Sequence, residues 1–521
     1  MNNTQLNNSN SAYDDIPYPS QVFHHCQPNR LHALAKLKGL NPPALDNARI
    51  LEIGCSFGGN LIPHAIRYPN SQIIGIDLSE KQIAIGQQMM AELGLNNVTL
   101  IAADISKVNF ENIQFDYIIC HGVFGWVPEF VQNTILHITQ HYLASNGVAF
   151  ISHNTYPGWH LKDMVKELMQ FGTDAQIHPF ERIDQAKTLF DDTANLLAKY
   201  NPNIHTEFTK IANHIIQAEK YYVAHEYFEE INQPFYLHQF VKKVNGYGLG
   251  YVADSSVSNI GIIGSLSGMN NEQIYQRFDR DIVDIEQYFD FINQRPFRCT
   301  LLTHQHNLVG YDIDKYNLCH HFPDLYLKAR LTRSGDGTNQ SWVTSDGLFS
   351  ISSSKFTDKI ANQLNNSNQP CKISELQSLA DGENINSSND LLLVMIHQDN
   401  SYISYSPVEI NPYGEYPKLA DKFARLINFV SNNPSITKLS NIYGEIIALT
   451  PFTNCLAPYL DGTNHLKDLV KLMRNEFKNG NLVLNKDGKP VPYRNIRNGN
   501  LETMIKETLD NLQSNGYFNQ Y

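Results

Sequence analysis

The chain has 521 residues, enough for three or four domains at roughly 150 residues each. Hydrophobic residues make up 42% and charged residues 18%, which excludes a largely disordered chain. The net charge of −12 argues against a nucleic-acid partner, because phosphate backbones reward a positive surface. Apolar runs stay short of the roughly 18 residues of a membrane span, so no membrane insertion is expected. The N-terminal MNNTQLNNSNSAYDD lacks the basic flank and apolar core of a secretory signal. Seven scattered cysteines include no CxxC pair, so the expectation is a cytoplasmic protein without a disulfide framework or structural zinc.

Residues 1–12 read as a polar tail. Pro17, Pro19 and Pro28 precede a helix over 28–39, in which Leu31, Leu34, Ala35 and Leu37 share a face and which Asn41-Pro42-Pro43 ends. The pattern then alternates. Strands are predicted over 48–55, 71–79, 97–105, 115–123 and 147–154, and helices over 60–69, 80–95 and 128–144. Such spacing predicts parallel βαβ units in a doubly wound α/β sheet. Beyond about residue 175 the alternation stops. Residues 180–245 read as several helices, and 250–400 as mixed, with strand and turn signals at 301–314 and 347–354. Asn/Ser-rich stretches at 362–369 and 381–390 read as loops, RSGDG at 333–337 as a turn, 416–480 as helical and 479–491 as a hairpin.

The strongest chemical signal is LEIGCSFGGN at 51–60, on the first strand-to-helix turn. Glycine there lets the backbone approach a ligand closely. Asp77 ends the second strand, where a carboxylate can accept hydrogen bonds from ribose hydroxyls, and Asp104 ends the third, within reach of an adenine amine. Dinucleotides and S-adenosylmethionine both suit this layout. A GxGxxG pattern would need glycine at 56, where Ser56 stands; the methyltransferase pattern reads Glu52, Gly54, Ser56, Gly58, with one replacement. Glu52 would repel a pyrophosphate and attract an ammonium group, which favours S-adenosylmethionine. The donor-side candidates are Tyr18, Glu52, Gly54, Cys55, Ser56, Gly58, Asn60, Asp77, Leu78, Asp104, Ile105, His121 and Gly122.

On the acceptor side, Trp126 and Trp159 follow the fourth and fifth predicted strands, with Phe124, Asn154 and Tyr156 beside them. Aromatic faces attract cations and exclude water; core packing is the better account of each aromatic singly, and a substrate channel of the cluster beside Asn154 and His121. The acceptor-side candidates are His121, Trp126, Asn154, Tyr156 and Trp159. His121 is read as a proton acceptor or as a backbone contact to the cofactor. Tyr13 and Tyr18 sit on a segment that either covers the cofactor or straps the domain. His225-Glu226 opens like a metal motif, but HEYFEE lacks a second histidine and reads as a buried polar helix contact. No metal site is read from the scattered His304, His306, His320 and His321.

The stretches IPYPS (16–20), LEIGCSFGGNLIP (51–63), GIDLSEKQI (75–83), CHGVFGWVP (120–128), SHNTYPGWH (152–160), HEYFEEINQPFY (225–236) and YLDGT (459–463) resemble class I S-adenosylmethionine-dependent methyltransferases that carry a methyltransferase regulatory domain. That family includes the rickettsial protein-lysine methyltransferases of outer membrane protein B. The chain departs from it at Phe124 and Gly125, where Tyr and Ser are usual, and at His153, where Tyr is usual. The resemblance implies a Rossmann-like seven-stranded methyltransferase sheet with helical and mixed α+β C-terminal domains. It also implies S-adenosylmethionine as cofactor, lysine side chains of a bacterial surface protein as substrate, and a homodimer. The corresponding division is a methyltransferase domain over 1–175, a helical regulatory or dimerisation domain over 176–300, a middle α+β domain over 301–410 and a C-terminal domain over 411–521. A small-molecule methyltransferase, or a non-catalytic cofactor sensor, is the alternative.

Overall fold

Alternating side chains of five parallel strands build two apolar layers. The strands are Arg49–Ile53 (β1), Gln72–Asp77 (β2), Val98–Ala102 (β3), Phe115–Cys120 (β4) and Leu143–Asn154 (β5). Ile50, Tyr117, Ile119, Val148 and Phe150 pack on one face, and Leu51, Ile53, Ile118, Cys120, Ala149 and Ile151 on the other. This computed structural model describes residues 16–229, 231–255, 271–311, 322–335, 340–344, 350–380, 401–486 and 489–521. Tyr13, the 1–12 tail, the 381–390 loop, His320 and His321 lie outside the described residues, as do parts of RSGDG and of 347–354.

Helices Pro28–Leu37 (α1), Ile62–Arg67 (α2), Glu80–Leu93 (α3) and Glu129–Tyr142 (α4) accompany these strands. The start of α3 is fixed by Ser79, whose Oγ accepts from Gln82 N at 3.1 Å, and its end by Gly94 at φ 71°.

The sheet does not end at residue 175. Helices Trp159–Gly172 (α5), Pro179–Tyr200 (α6), Pro202–Gln217 (α7), Lys220–Phe228 (α8) and Leu237–Asn245 (α9) intervene, and then Leu249–Asp254 (β6) and Phe297–His304 (β7) complete it. The order is β3-β2-β1-β4-β5-β7-β6, with β7 antiparallel to both neighbours. Two strands therefore come from 249–304, a segment that the sequence reading gave to the helical region and the start of the next. Asn271–Arg277 (α10) and Ile282–Asn293 (α11) join them. Buried Arg298 on β7 meets Asp290 (2.7 Å), Glu286 (3.2 Å) and Asp254 (3.3 Å), and so ties the edge of the sheet to α11. His304 and His306 donate to the carbonyls of Leu143 and Ser145 at 3.0 Å, pinning the start of β5.

The next region carries two small antiparallel sheets. Tyr326–Lys328 (β8) lies between Cys371–Lys372 (β12) and Tyr402–Ser404 (β13), while Leu331–Ser334 (β9), Ser341–Thr344 (β10) and Ser350–Ser352 (β11) form the other. Lys355–Asn366 (α12) runs through 362–366, part of the stretch read as a loop. A Ser354/Thr357 capping box and buried Phe356, Ile360, Ala361 and Leu364 override its polar composition. Ile373–Ser378 (α13) follows. The C-terminal region holds Asp421–Asn432 (α14), Pro451–Leu456 (α15), Leu466–Asn479 (α16), the hairpin Leu484–Lys486 (β14) and Lys489–Val491 (β15), and Asn498–Ser514 (α17). Among the described residues no helix is long and apolar enough to cross a membrane.

Candidate functional site

The sheet order reverses between β1 and β4, which opens a crevice at the carboxyl ends of the strands. The turn after β1 lines it. Gly54 has φ 76°, and a Cβ there would lie 2.2 Å from Val123 Cγ2, so only glycine fits. Ser56 holds the left-handed conformation at φ 50°. Its N–H donates to Asp77 Oδ2 (2.8 Å) and its hydroxyl to Gln82 Oε1 (2.7 Å). Asp77 Oδ1 accepts from Ser79 N at 3.0 Å. The carboxylate at the tip of β2 thus shapes the turn as well as facing the crevice.

Glu52 is 3% exposed. Asn60 Nδ2 donates to its Oε1 at 2.7 Å, while Oε2 is buried with no hydrogen-bond partner among the described residues. Burial, and then the nearby Asp77 charge, push this carboxyl up to about 8, against the Asn60 bond. A buried carboxylate oxygen awaiting a partner is the complement of a ligand ammonium. Burial also pushes the Cys55 thiol well up, which leaves it inert.

Leu78 follows Asp77 and is 41% exposed, and Asp104 caps the short turn Ile105–Lys107. Asp104 Oδ1 accepts from Ser106 N (2.9 Å) and Oγ (2.7 Å), and Lys107 stands 3.2 Å from its other oxygen. Burial works upward on Asp104, but these partners outweigh it and hold the carboxyl below its usual range. After β4, Gly122 has φ 69° and open space around it, and its N–H donates to Ser152 Oγ at 2.8 Å. His121 is held neutral, since burial and the neighbouring His25 pull it down to about 3. Its ring lies 4.2 Å from that of Phe23, and its Nδ1 is buried with no hydrogen-bond partner among the described residues.

The N-terminal segment crosses this crevice. Phe23 N (2.8 Å) and Gln27 Nε2 (2.7 Å) both donate to Asn60 Oδ1. A Cβ on Gly59 would meet Ser20 Oγ at 2.2 Å, so the segment lies directly on the turn. Ser20 pairs with Thr437 of the C-terminal region, through Ser20 N to Ile436 O (2.5 Å) and Lys438 N to Ser20 O (2.9 Å). Tyr18 stacks on His225 at 4.8 Å and meets Tyr221 edge-on at 5.3 Å. His225 donates to Ile16 O at 2.6 Å and pairs with Glu229 at 3.1 Å, a buried polar contact. Asn60 is the node of this arrangement. Asn60→Ala should cost about 2 kcal/mol, because it strands the Phe23 amide and Glu52 together and leaves the Gln27 amide its bond to the residue-60 carbonyl at 3.1 Å; urea denaturation measures the loss.

On the acceptor side, the segment 232–236 is laid across the ends of β4 and β5. Gln233 N donates to Gly125 O (2.8 Å), Phe235 N to Asn154 O (3.0 Å) and Tyr156 N to Phe235 O (3.1 Å). Asn154 Nδ2 donates to Asn232 Oδ1 at 2.8 Å, and Asn232 Nδ2 is buried with no partner among the described residues. Tyr156 donates to Asp163 Oδ2 at 2.9 Å. Burial and that carboxylate push the phenol up to about 12, so it stays protonated. Trp126 is partly exposed, whereas Trp159 is fully buried behind it, at 6.3 Å and nearly perpendicular. Lys162 lies 4.9 Å from the Trp159 ring and Lys166 5.7 Å from that of Trp126. Phe124 is fully buried against Phe235 and Phe240, and buried His153 stacks on Phe240 at 4.1 Å. Gly125 is buried as well, so all three departures from the family pattern sit in the interior. Sequence reasoning missed Asn232, Gln233, Asp163, Phe23 and Ser152; Ser152, Asn232 and Gln233 lie inside the quoted stretches, but their contacts with Gly122, Asn154 and Gly125 cross between separate elements.

A glycine turn between β1 and its helix, an acid at the tip of β2 and the 3-2-1-4-5-7-6 order together define a class I methyltransferase. Residues 50–147 match the methyltransferase domain family, 219–304 the family described as a predicted methyltransferase regulatory domain, and 417–517 the PKMT C-terminal winged helix domain. The chain belongs to the S-adenosylmethionine-dependent methyltransferases that carry this regulatory domain, and S-adenosylmethionine is its cofactor. One uncharacterized protein of Rickettsia prowazekii is 40% identical over 240 residues, covering 44% of this chain and 93% of that protein. Another from the same organism is 29% identical, over 99% of this chain and 95% of that protein. The structure of PKMT2 from Rickettsia typhi in complex with AdoHcy superposes with a TM-score of 0.81 at 27% identity, covering 96% of this chain and 99% of that one.

Proposed function

We propose that this enzyme methylates lysine side chains of a protein, with a bacterial surface protein as the acceptor. The observation that carries the reading is the likeness to PKMT2, which runs through the catalytic sheet, the regulatory segment and the C-terminal winged helix together. When bound, S-adenosylmethionine supplies a methyl group activated by its sulfonium. Glu52 Oε2 would receive the ammonium of the cofactor and Asp77 the ribose hydroxyls. Leu78, Asp104 and Ile105 would hold the adenine, while Gly54, Gly58 and Gly122 would admit the cofactor to the backbone.

An amine attacks only after losing a proton, so the acceptor side has to hold it neutral and in line. His121 is too weak a base at about 3 to take that proton at neutral pH, and it serves as a ring wall and hydrogen-bonding partner. Asn154 and Asn232 offer amides to the amine, Tyr156 a phenol, and Trp126 an aromatic face. Trp159 supports Trp126 from behind. The catalytic unit in this reading extends to residue 304, because β6 and β7 complete the sheet. The enzyme acts as a cytoplasmic homodimer; light scattering of the purified protein tests the dimer.

Trp126→Ala should lower kcat/KM for a protein acceptor about tenfold and leave S-adenosylhomocysteine affinity within about twofold, since it removes positioning without touching the donor side. Radiolabelled methyl transfer to purified surface proteins tests the reading as a whole. Methyl-lysine in the protein hydrolysate supports it; label confined to the low-mass fraction of a lysate means a small acceptor, and binding without turnover means a sensor.

A further inference from the structure

Helix α16 carries Lys467, Lys471, Arg474 and Lys478 at intervals of four, three and four residues, which places them on one face. Leu469, Met473 and Phe477 are buried on the other. Lys467, Lys471 and Lys478 are exposed, and the Lys471 side chain retains 78% of its accessibility. Among the described residues Asp468 is the one carboxylate in an ion pair with any of the four, at 3.0 Å from Lys471. Arg474 donates to Asn498 Oδ1 and to Ile496 O, each at 2.8 Å, which brings the stretch with exposed Arg494 and Arg497 against the same helix. Residues 466–497 hold eight basic against three acidic side chains in a chain of net charge −12. This segment is locally basic in a chain that is acidic as a whole.

We infer that this stripe docks an acidic, extended segment of the methyl-accepting protein; the inference rests on the protein-acceptor reading above. Four cations across eleven helical steps, Lys467 to Lys478, span roughly 16 Å, the reach of about five extended residues of a peptide. A nucleic-acid duplex fits less well. Tight duplex binding draws on roughly 6–10 phosphate contacts, more than the four cations of the stripe, and a chain of net charge −12 repels a long polyanion. The C-terminal region that carries the stripe is anchored to the catalytic sheet domain. Arg425 on α14 donates to Glu92 O of α3 at 3.4 Å, and Ile436 and Lys438 hold the segment that covers the turn after β1. A partner held there raises the local concentration of its lysines at the site.

The test is the full chain with Lys467→Glu, Lys471→Glu and Lys478→Glu together, which spares Arg474 and its bonds. A fluorescein-labelled polyglutamate peptide is the probe, read by anisotropy at low and moderate salt. The wild type should bind it, more weakly as salt rises, and the triple variant should bind about tenfold more weakly. For a whole-protein acceptor the variant should raise KM about tenfold with kcat and S-adenosylhomocysteine affinity unchanged. No polyglutamate binding by the wild type, unchanged binding by the variant, or tighter binding of a short DNA duplex than of polyglutamate would each overturn the inference. If the wild type binds polyglutamate yet methylates no protein, the acceptor reading falls and the acidic-segment site stands.

Discussion

Asp77→Ala is expected to weaken S-adenosylhomocysteine binding by on the order of a hundredfold or more, about 3 kcal/mol, from the loss of charge-assisted hydrogen bonds. Two consequences combine. The ribose loses its acceptor, and the turn loses the carboxylate that holds Ser56 N at 2.8 Å in its left-handed conformation. Asp77→Asn, which keeps one acceptor oxygen, should fall between the two proteins. Calorimetric titration measures all three. An alanine variant that binds within about threefold of wild type would remove Asp77 from the site.

Glu52→Gln should move affinity and stability in opposite directions. The glutamine keeps the size of the side chain and the Asn60 bond but cannot ionise. In the ligand-free wild type the carboxyl titrates at about 8, against 4.5 for an ordinary glutamate. The unfolded chain therefore releases this proton first. Stability is fully present below about 4.5, declines as pH rises and has finished declining once pH passes about 8, a loss of a few kcal/mol. The variant lacks that slope and should be the more stable ligand-free protein at pH 8. Binding a ligand ammonium requires the ionised carboxylate, so below pH 8 binding releases a proton and wild-type affinity climbs with pH before levelling. The variant should bind about ten- to a hundredfold more weakly at pH 8, with little pH dependence. Thermal melts across pH 5–9, and titrations in buffers of different ionisation enthalpy, read the two effects separately. Equal proton release by both proteins would contradict the assignment.

How far the sequence carries the account depends on how local each signal is. Strands β1–β5 were legible because each is a short apolar run bounded by turn residues, and all but β3 are followed by a helix. The run at 249–254, LGYVAD, is buried throughout, and it lies more than ninety residues beyond β5 behind five helices, so nothing local announces that it joins the same sheet. Glu52, Gly54 and Asp77 were legible by spacing on consecutive elements. Asn60 was legible as a member of the motif, but its function as a knot between Phe23, Gln27 and Glu52 depends on contacts 33 and 37 residues away. The acceptor wall was hardest to foresee. Asn232 and Gln233 meet Asn154 and Gly125 only because the regulatory segment folds back across the ends of β4 and β5. Trp126 and Trp159 looked equivalent in sequence; burial separates them, leaving one at the surface of the site and one in its support.

Calorimetric titration of the full-length protein with S-adenosylhomocysteine at pH 8, wild type beside Glu52→Gln and Asp77→Ala, addresses the crevice itself. The account predicts one site per chain in the wild type, a weaker site in the first variant and almost no heat in the second. Absence of heat from folded wild-type protein, or indistinguishable isotherms for all three, would contradict it.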